Sequence, residues 1–283
     1  MTTEDLSRKV DDEITIRRAE TIAEYRACQD AQRGAWGISE ESYLVPIATM
    51  VGANLHGGLV LGAFLPGGEA VAMSFAFLGR VEDRPCLYSQ LTGVVPGYQS
   101  RGLGYEIKRL QRTIARTDGI ERIAWAFDPL QAGNAHFNLA RLGASAGLYV
   151  ENMYGLRTDA LNAGVPTDRL IAEWETGGEA VVAIPSPEAP ALPHLIETEQ
   201  GRGDLPGAPV GMSESAFQAR QILLEIPSDI VHLRRETPEL AERWRSVVGQ
   251  AFQAAFAAGY RAVCFVKDDS SGRRRSYYLL ERV

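Results

Sequence analysis

Cysteine is scarce in this sequence of 283 residues, and Cys28, Cys86 and Cys264 are widely separated. Such isolated residues build neither a disulfide framework nor a CxxC metal site, so we expect each to be a small buried apolar side chain in a reducing compartment. The four histidines also lack the spacing of metal ligands. The sequence therefore predicts no metal and no disulfide.

Basic residues are fewer than acidic ones, and the net charge is −7 with a pI of about 5.3. This balance argues against a broad nucleic-acid-binding face, although a small anionic ligand needs only a local positive potential. The longest apolar run, residues 70–78, is far shorter than the ~18 residues of a membrane helix. The polar, acidic start is not typical of a signal peptide. We expect a cytoplasmic protein with no nucleic-acid or membrane partner.

The composition is that of a globular protein, with 45% hydrophobic and 23% charged residues. Alternation at Ile14–Arg17 predicts a strand, and Thr21 with Glu24 forms a capping-box pattern at a helix start. A turn at Pro66–Gly68 joins two apolar runs as a hairpin, and an apolar stripe from Leu103 to Ile114 predicts an amphipathic helix. The element order β, α, α, β, β, β, α, β, α, β, β indicates a mixed α/β sheet.

The chain divides into segments by composition. Residues 1–13 are predicted to be a flexible tail, 14–184 a first domain, 185–220 a Pro/Gly-rich linker, and 221–283 a smaller extension of β-α-β-β outline. The long helix of the extension is expected to start at Thr237, with Pro238 in its first turn. Three roles are open for this extension: lengthening the sheet, covering a binding site, or building a homodimer.

The most informative stretch runs from Val94 to Gly104, where a predicted strand ends and a helix begins. Glycines there let the backbone approach a ligand closely, and the N–H groups of the helix start suit a pyrophosphate. Arg101 adds a cation. The alternative is a simple glycine turn. No Gly-Lys-Ser/Thr follows, so this is not a Walker loop, and the preceding strands do not fit a dinucleotide-binding unit.

With Gln99, Gly102 and Gly104 in the pattern Gln/Arg-x-x-Gly-x-Gly/Ala after three meandering strands, the chain resembles the GNAT superfamily of acyl-CoA N-acyltransferases. It is similar in particular to a bacterial group, some members of which are encoded beside N-acylamino acid racemases. The resemblance covers residues 14 to about 176. It implies a mostly antiparallel central sheet flanked by helices, an acetyl-CoA or succinyl-CoA donor, and a small-molecule amine as acceptor.

The resemblance also implies which residues bind coenzyme A. Backbone groups of Val94 and Val95 would pair with the pantetheine arm like an added strand. The pyrophosphate would be bound by the amides of Gln99, Ser100, Arg101, Gly102, Leu103 and Gly104. Asn134 and Asn138 would contact the cofactor arm, and Phe137 would pack against it unless it simply belongs to the helix core.

For catalysis, a general acid would protonate the leaving thiolate and a base would accept the amine proton. The position of the usual family tyrosine is occupied by Leu139, so Tyr149 or Tyr154 is the candidate acid. Asp128 and His136 are the candidate bases, with a turn residue and a structural histidine as the alternatives. Gln90 and Thr92 are expected to orient the acceptor or the thioester.

Two functions of different class remain at this point. One is an N-acyltransferase in which the amine attacks the thioester directly. The other is a non-catalytic acyl-CoA or metabolite-binding protein, which the missing family tyrosine favours. A nucleotide-binding α/β enzyme is a third, weaker hypothesis.

Overall fold

Two compact units make up the fold, as seen in a computed structural model that describes residues 6–10, 13–155, 166–177, 192–201, 205–269 and 274–283. The first unit comprises the described chain up to Trp125 together with residues 175–177. The second comprises most of the described chain from Ala126 onward. The predicted domain boundary after residue 184 lies outside the described residues.

The first unit is built on a sheet in the order β1-β2-β3-β4-β5-β6. Neighbouring strands from β1 to β5 are antiparallel, whereas β5 and β6 are parallel. The predicted hairpin at Pro66–Gly68 is thus confirmed as the β3–β4 connection. The strands are β1 (Ser7–Lys9), β2 (Thr15–Arg18), β3 (Leu59–Phe64), β4 (Ala70–Val81), β5 (Arg84–Val94) and β6 (Arg122–Phe127).

Helix α1 (Ile22–Trp36) starts where the sequence predicts. The Thr21 hydroxyl accepts from the Glu24 N–H at 3.3 Å, and the Glu24 carboxylate accepts from the Thr21 N–H at 3.0 Å, a complete capping box. Helix α3 (Leu103–Thr117) also follows the prediction, with its apolar stripe buried. The second predicted helix is α2 (Ile47–Leu55), which begins directly after Pro46 at its N-cap position, and residues 41–43 before it form a 3₁₀ turn.

The second unit contains an antiparallel sheet in the order β8-β7-β12-β13-β11 and a separate β9–β10 pair. Its core includes Trp244, Phe252, Tyr277 and Tyr278, all fully buried. The strands are β7 (Ser145–Val150), β8 (Arg169–Glu175), β9 (Ile196–Thr198), β10 (Pro209–Met212), β11 (Gln221–Ile226), β12 (Tyr260–Asp268) and β13 (Arg275–Arg282). The helices are α4 (Ala132–Ala135), α5 (Ile230–Glu236) and α6 (Pro238–Ala257).

The predicted fold class, a mixed α/β architecture with mostly antiparallel strands flanked by helices, is confirmed. The last helix of the predicted element order is a short α4 followed by a π-helix, His136–Arg141. The tail prediction is wrong for Ser7–Lys9, which pairs with β2. Strands β9 and β10 occupy part of the predicted linker, and α5 was not predicted.

All three cysteines are free and buried, as expected. Among the described helices, none is long and apolar enough to cross a membrane.

Candidate functional site

Strand β5 carries a β-bulge at Gln90. Ala76 of β4 is paired with Ser89, whereas the preceding Phe75 is paired with Leu91, so Gln90 is the extra residue. Its side chain is exposed, and the residues that follow it in β5 are half-buried. Bulges bend a strand and redirect its side chains, and they are common next to active sites. The bulge therefore separates the regular first part of β5, up to Ser89, from a last part whose pairing register is shifted.

Val94 and Val95 differ in their backbone directions at this end of β5. The Val95 N–H donates to the Val71 carbonyl of β4 at 2.9 Å, and the Val95 carbonyl accepts from the Tyr98 N–H at 3.0 Å. Because successive residues of a strand alternate in direction, the Val94 backbone points to the opposite edge. There the Val94 carbonyl accepts from Gln99 Nε2 at 3.2 Å. Of the two predicted pantetheine partners, Val94 has the backbone direction that strand addition requires.

The loop between β5 and α3 contains three residues with left-handed backbone. Gly97, Ser100 and Gly102 have φ values of 83°, 64° and 79°. Such a conformation is rare outside glycine, and Ser100 adopts it in the middle of the predicted binding motif. Left-handed residues within a turn direct neighbouring N–H groups to one side, forming an anion-binding concavity. The loop thus presents backbone donors where the sequence predicts a pyrophosphate.

The start of α3 continues this set of donors. Gly102 is the N-cap and provides no side-chain cap, and the first N–H groups of the helix, those of Leu103 and Gly104, have no intrahelical acceptor. A Cβ placed on Gly102 or Gly104 would meet no atom within 4 Å, so space is open beside this backbone. Arg101 is exposed, with its guanidinium 5.0 Å from the Tyr98 ring centre. Backbone donors, helix dipole and Arg101 all favour an anion here.

The residues predicted to contact the cofactor arm lie on α4 and the π-helix of the second unit. Asn134 is exposed, Phe137 is half-buried, and Asn138 is buried with its carbonyl accepting from the Ala144 N–H at 3.0 Å. A π-helix is rare and is frequent at functional sites. His136 opens it, with its ring edge-on to Phe265. Burial, followed by the Lys267 and Arg141 charges, lowers the pKa of His136, so its imidazole is neutral at pH 7.

Asp128 is held in a buried ion-pair cluster within the second unit. Arg245 of α6 donates from Nη2 to Asp128 Oδ2 at 3.1 Å and from Nη1 to Asp168 Oδ2 at 3.5 Å. Asp128 Oδ1 also accepts from the Leu130 N–H at 2.9 Å, the pattern of an Asx turn. The alternative role of Asp128 as a turn residue is therefore present in the structure, together with an ion pair to Arg245.

Tyr149 belongs to the same cluster. Its side chain is hydrogen-bonded to Asp168, and burial followed by the Asp168 charge raises its pKa. The Tyr149 ring stacks on Phe252 of α6 at 6.2 Å, and its hydroxyl lies against Gly249 of the same helix. Tyr154, by contrast, lies beside Arg169, whose guanidinium is 5.3 Å from its ring centre. The two candidate acids thus have different surroundings.

The predicted site residues fall into two groups. Those from Gln90 to Gly104 lie in the first unit, and those from Asp128 to Tyr154 lie in the second. Arg245, Asp168 and Gly249 were not predicted, and no local motif signals them, because their partners lie far away in sequence. Within the described part of the chain, no group of His, Cys, Asp or Glu side chains could hold a metal ion.

No protein-family model and no curated protein matches this chain. Solved structures to which it is similar include the ribosomal-protein-S18-alanine N-acetyltransferase from Escherichia coli, at 19% identity over 60% of this chain and 99% of that chain, with a TM-score of 0.44. A GNAT superfamily phosphinothricin acetyltransferase from Sinorhizobium meliloti, in complex with AcCoA, has 15% identity over 61% and 94%, with a TM-score of 0.46. The IAA acetyltransferase from Bacillus cereus has 16% identity over 57% and 99%, with a TM-score of 0.43. At such low identities and TM-scores, the likeness carries no argument about activity or substrate.

Proposed function

We propose that this protein is an acyl-CoA-dependent N-acyltransferase of the GNAT type, which transfers an acetyl or succinyl group to a small-molecule amine. The observation that carries the proposal is the continuous run of backbone groups from Val94 through the left-handed loop to Gly104. A strand edge, an anion-binding loop and a helix start follow one another in the order in which pantetheine and pyrophosphate follow one another in coenzyme A.

The chemistry of coenzyme A fits these groups. The amides of the pantetheine arm are donors and acceptors that pair with a strand edge such as the one at Val94. The pyrophosphate carries charge that the amides of Leu103 and Gly104 would meet at the positive end of α3. Glu106 lies in the first turn of α3, and its ion pair with Arg8 offsets a carboxylate that would otherwise repel the ligand.

In the proposed reaction, the neutral amine attacks the thioester carbonyl directly and the CoA thiolate leaves. The amine nitrogen loses a proton as the new amide forms, and the thiolate gains one. Neutral His136 is the candidate whose protonation state suits a base. The carboxylate of Asp128 is already engaged by Arg245 and by the Leu130 N–H, so we favour His136 over Asp128. Tyr149 and Tyr154 remain the candidate acids.

A second candidate function is a non-catalytic acyl-CoA-binding protein. The observation that favours it is that both Asp128 and Tyr149 are engaged with partners inside the cluster, Arg245 and Asp168. Such engagement is what a purely structural cluster would show. Acyl transfer to an acceptor amine distinguishes the two functions, because only the enzyme carries it out. The α-amino group of amino acids is the first class of acceptor to test.

The test combines binding with turnover. Isothermal titration with CoA, acetyl-CoA and succinyl-CoA measures affinity, and free-thiol release with a panel of amino acids and small amines measures transfer. Binding together with amine-dependent thiol release supports the enzyme. Binding without turnover of any amine supports the non-catalytic protein, and no binding of any CoA species overturns both.

A further inference from the structure

Lys108 of α3 is a buried amine in the core of the first unit. The chain has few lysines, Lys9, Lys108 and Lys267, and Lys108 is only 4% exposed. Its Nζ donates to Ser89 Oγ at 2.9 Å and lies 3.9 Å from the centre of the Trp125 ring. Among the described residues, no carboxylate forms an ion pair with it. A lysine in such a place normally destabilises a fold, because its charged form loses hydration without gaining a counter-ion.

Lys108 lies where strands β5 and β6 stop being paired, a point that we call the fork. Strands β5 and β6 are paired at Leu87 with Ile123 and at Tyr88 with Ala124. The next residue of β5 is Ser89, and the next of β6 is Trp125. The Lys108 amine therefore contacts a side chain from each strand just beyond these pairs, directly before the bulge at Gln90.

Gln111, one helical turn after Lys108, extends the contacts across the bulge. Its Nε2 donates to Ser89 Oγ and to Ser74 Oγ, each at 3.2 Å. Ser74 Oγ in turn is hydrogen-bonded to Thr92 Oγ1 at 3.0 Å. We call Lys108, Gln111, Ser74, Ser89 and Thr92 the polar brace. It connects residues on both sides of Gln90, and Ser74 Oγ also donates to the Leu91 carbonyl at 3.2 Å.

The polar brace is costly for stability. Burial lowers the pKa of Lys108 to about 7, because desolvation disfavours its charged form. Within the described chain, Gln111 Oε1 is also buried without a hydrogen-bond partner. An apolar side chain in place of Lys108 would avoid the desolvation of its amine, and departures of this kind are expected mainly at functional sites.

We propose that Lys108 is a positioning residue for acyl-CoA binding: through Ser89 and the polar brace, it fixes the bulge at Gln90 and the fork between β5 and β6, and so orients the strand edge at Val94. The proposal rests on the proposed function for its ligand, since Val94 is the strand edge that pantetheine would extend. Lys108 itself does not touch the ligand, because it lies beneath the strand in the core.

The experiment compares Lys108→Met, Lys108→Gln and the surface control Lys9→Met, at an exposed lysine of the same unit. Methionine keeps the length of the side chain without a donor, whereas glutamine keeps a donor without a charge. We expect Lys108→Met to fold at least as stably as the unmodified protein, yet to bind CoA about tenfold more weakly and to raise KM more than it lowers kcat. Lys108→Gln should recover part of the affinity, and Lys9→Met should leave it unchanged.

Unchanged CoA affinity in Lys108→Met overturns the proposal. Ser89→Ala is the second variant, in case Lys108→Met does not fold. It removes the acceptor next to Lys108 and should weaken CoA binding in the same direction, and unchanged affinity there also overturns the proposal.

Hydrogen exchange of the amides of residues 89–94 provides a readout that needs no ligand. Faster exchange in Lys108→Met supports the role of the polar brace, whether or not the unmodified protein binds CoA. Absence of CoA binding would reject only the proposed function. Unaltered exchange overturns the brace whatever the ligand.

Discussion

The α-carbon of Gly249 on α6 lies so close to the Tyr149 hydroxyl that a Cβ on Gly249 would stand 2.5 Å from the Tyr149 oxygen. Contact at that distance is not tolerated between real atoms, so Gly249 makes the room in which the hydroxyl lies. A glycine in the interior of a helix normally weakens it by about 1 kcal/mol relative to alanine. The missing side chain at Gly249 is what leaves room for the Tyr149 hydroxyl beside Asp168.

Gly249→Ala tests whether the place of the Tyr149 hydroxyl matters for turnover. The added methyl group must displace the tyrosine ring, so we expect kcat to fall by about tenfold or more if Tyr149 is the acid. Gly52→Ala on α2 is the control, because a Cβ there meets nothing within 4 Å. Steady-state kinetics and thermal unfolding of both variants make the comparison. Equal kcat for Gly249→Ala and the unmodified protein would rule out Tyr149.

Gly102→Ala should weaken CoA binding by about tenfold or more, because a side chain at this N-cap occupies the space that the pyrophosphate needs. Gly119→Ala is a closely matched control. Gly119 also has left-handed backbone, with φ of 74° against 79° for Gly102, and also lies in open space, but at the opposite end of α3. Both variants carry the same backbone strain. If titration calorimetry gives the two variants the same CoA affinity, backbone strain explains any weakening of binding. The placement of the pyrophosphate at Gly102 is then wrong.

Lys108 should make the stability of the fold depend on pH. Its pKa is about 7 in the fold and about 10.5 when unfolded, so the unfolded chain binds more protons between these values. The free energy of unfolding should therefore fall as the pH is lowered from about 10 to about 7, by at most ~1.4 kcal/mol per pH unit from this group. Urea unfolding should show that Lys108→Met gains more stability near pH 7 than near pH 10. A gain independent of pH would contradict the lowered pKa of Lys108.

Arg245→Met should destabilise the second unit by about 3–5 kcal/mol, because it leaves the Asp128 and Asp168 carboxylates buried without a cation. Arg220→Met is the matched control. Arg220 is also paired with a carboxylate, that of Glu281, but its side chain is 80% exposed, so its loss should cost less than ~1 kcal/mol. Chemical denaturation compares the two. If both variants lose a similarly small free energy of unfolding, the Arg245 cluster contributes little to stability.

Tyr149→Phe and Tyr154→Phe separate the two candidate acids. Loss of a general acid lowers kcat by about 10²-fold or more with little change in KM. The variant that shows this pattern identifies the acid, and CoA titration of both variants checks that binding is intact. If neither phenylalanine slows thiol release, the thiolate leaves without help from either tyrosine.

Local patterns were sufficient for much of the fold. The capping box at Thr21 and the apolar stripe of α3 depend on neighbours within a few residues, and both elements start where the sequence predicts. The β5–α3 loop could be predicted in the same way, because glycine marks left-handed backbone directly. Long-range pairing gave no such signal. Arg245 meets Asp128 and Asp168 across 117 and 77 residues, and only folding brings them together.

The predicted tail failed for a related reason. Ser7–Lys9 is polar and has no strand pattern of its own, and its pairing with β2 supplies the order. The π-helix was missed because π-helices are rare and occur mostly as single turns within α-helical segments.

The rarity of lysine gives this protein an internal reporter. An amine-reactive reagent meets Lys9 and Lys267, which are exposed, and Lys108, which is buried between α3 and side chains of the sheet. Modification of Lys108 therefore requires a transient local opening around α3, and its rate, followed by peptide mass spectrometry, measures how often that opening occurs. A ligand that suppresses the opening should slow labelling at this one residue while the two surface lysines react as before.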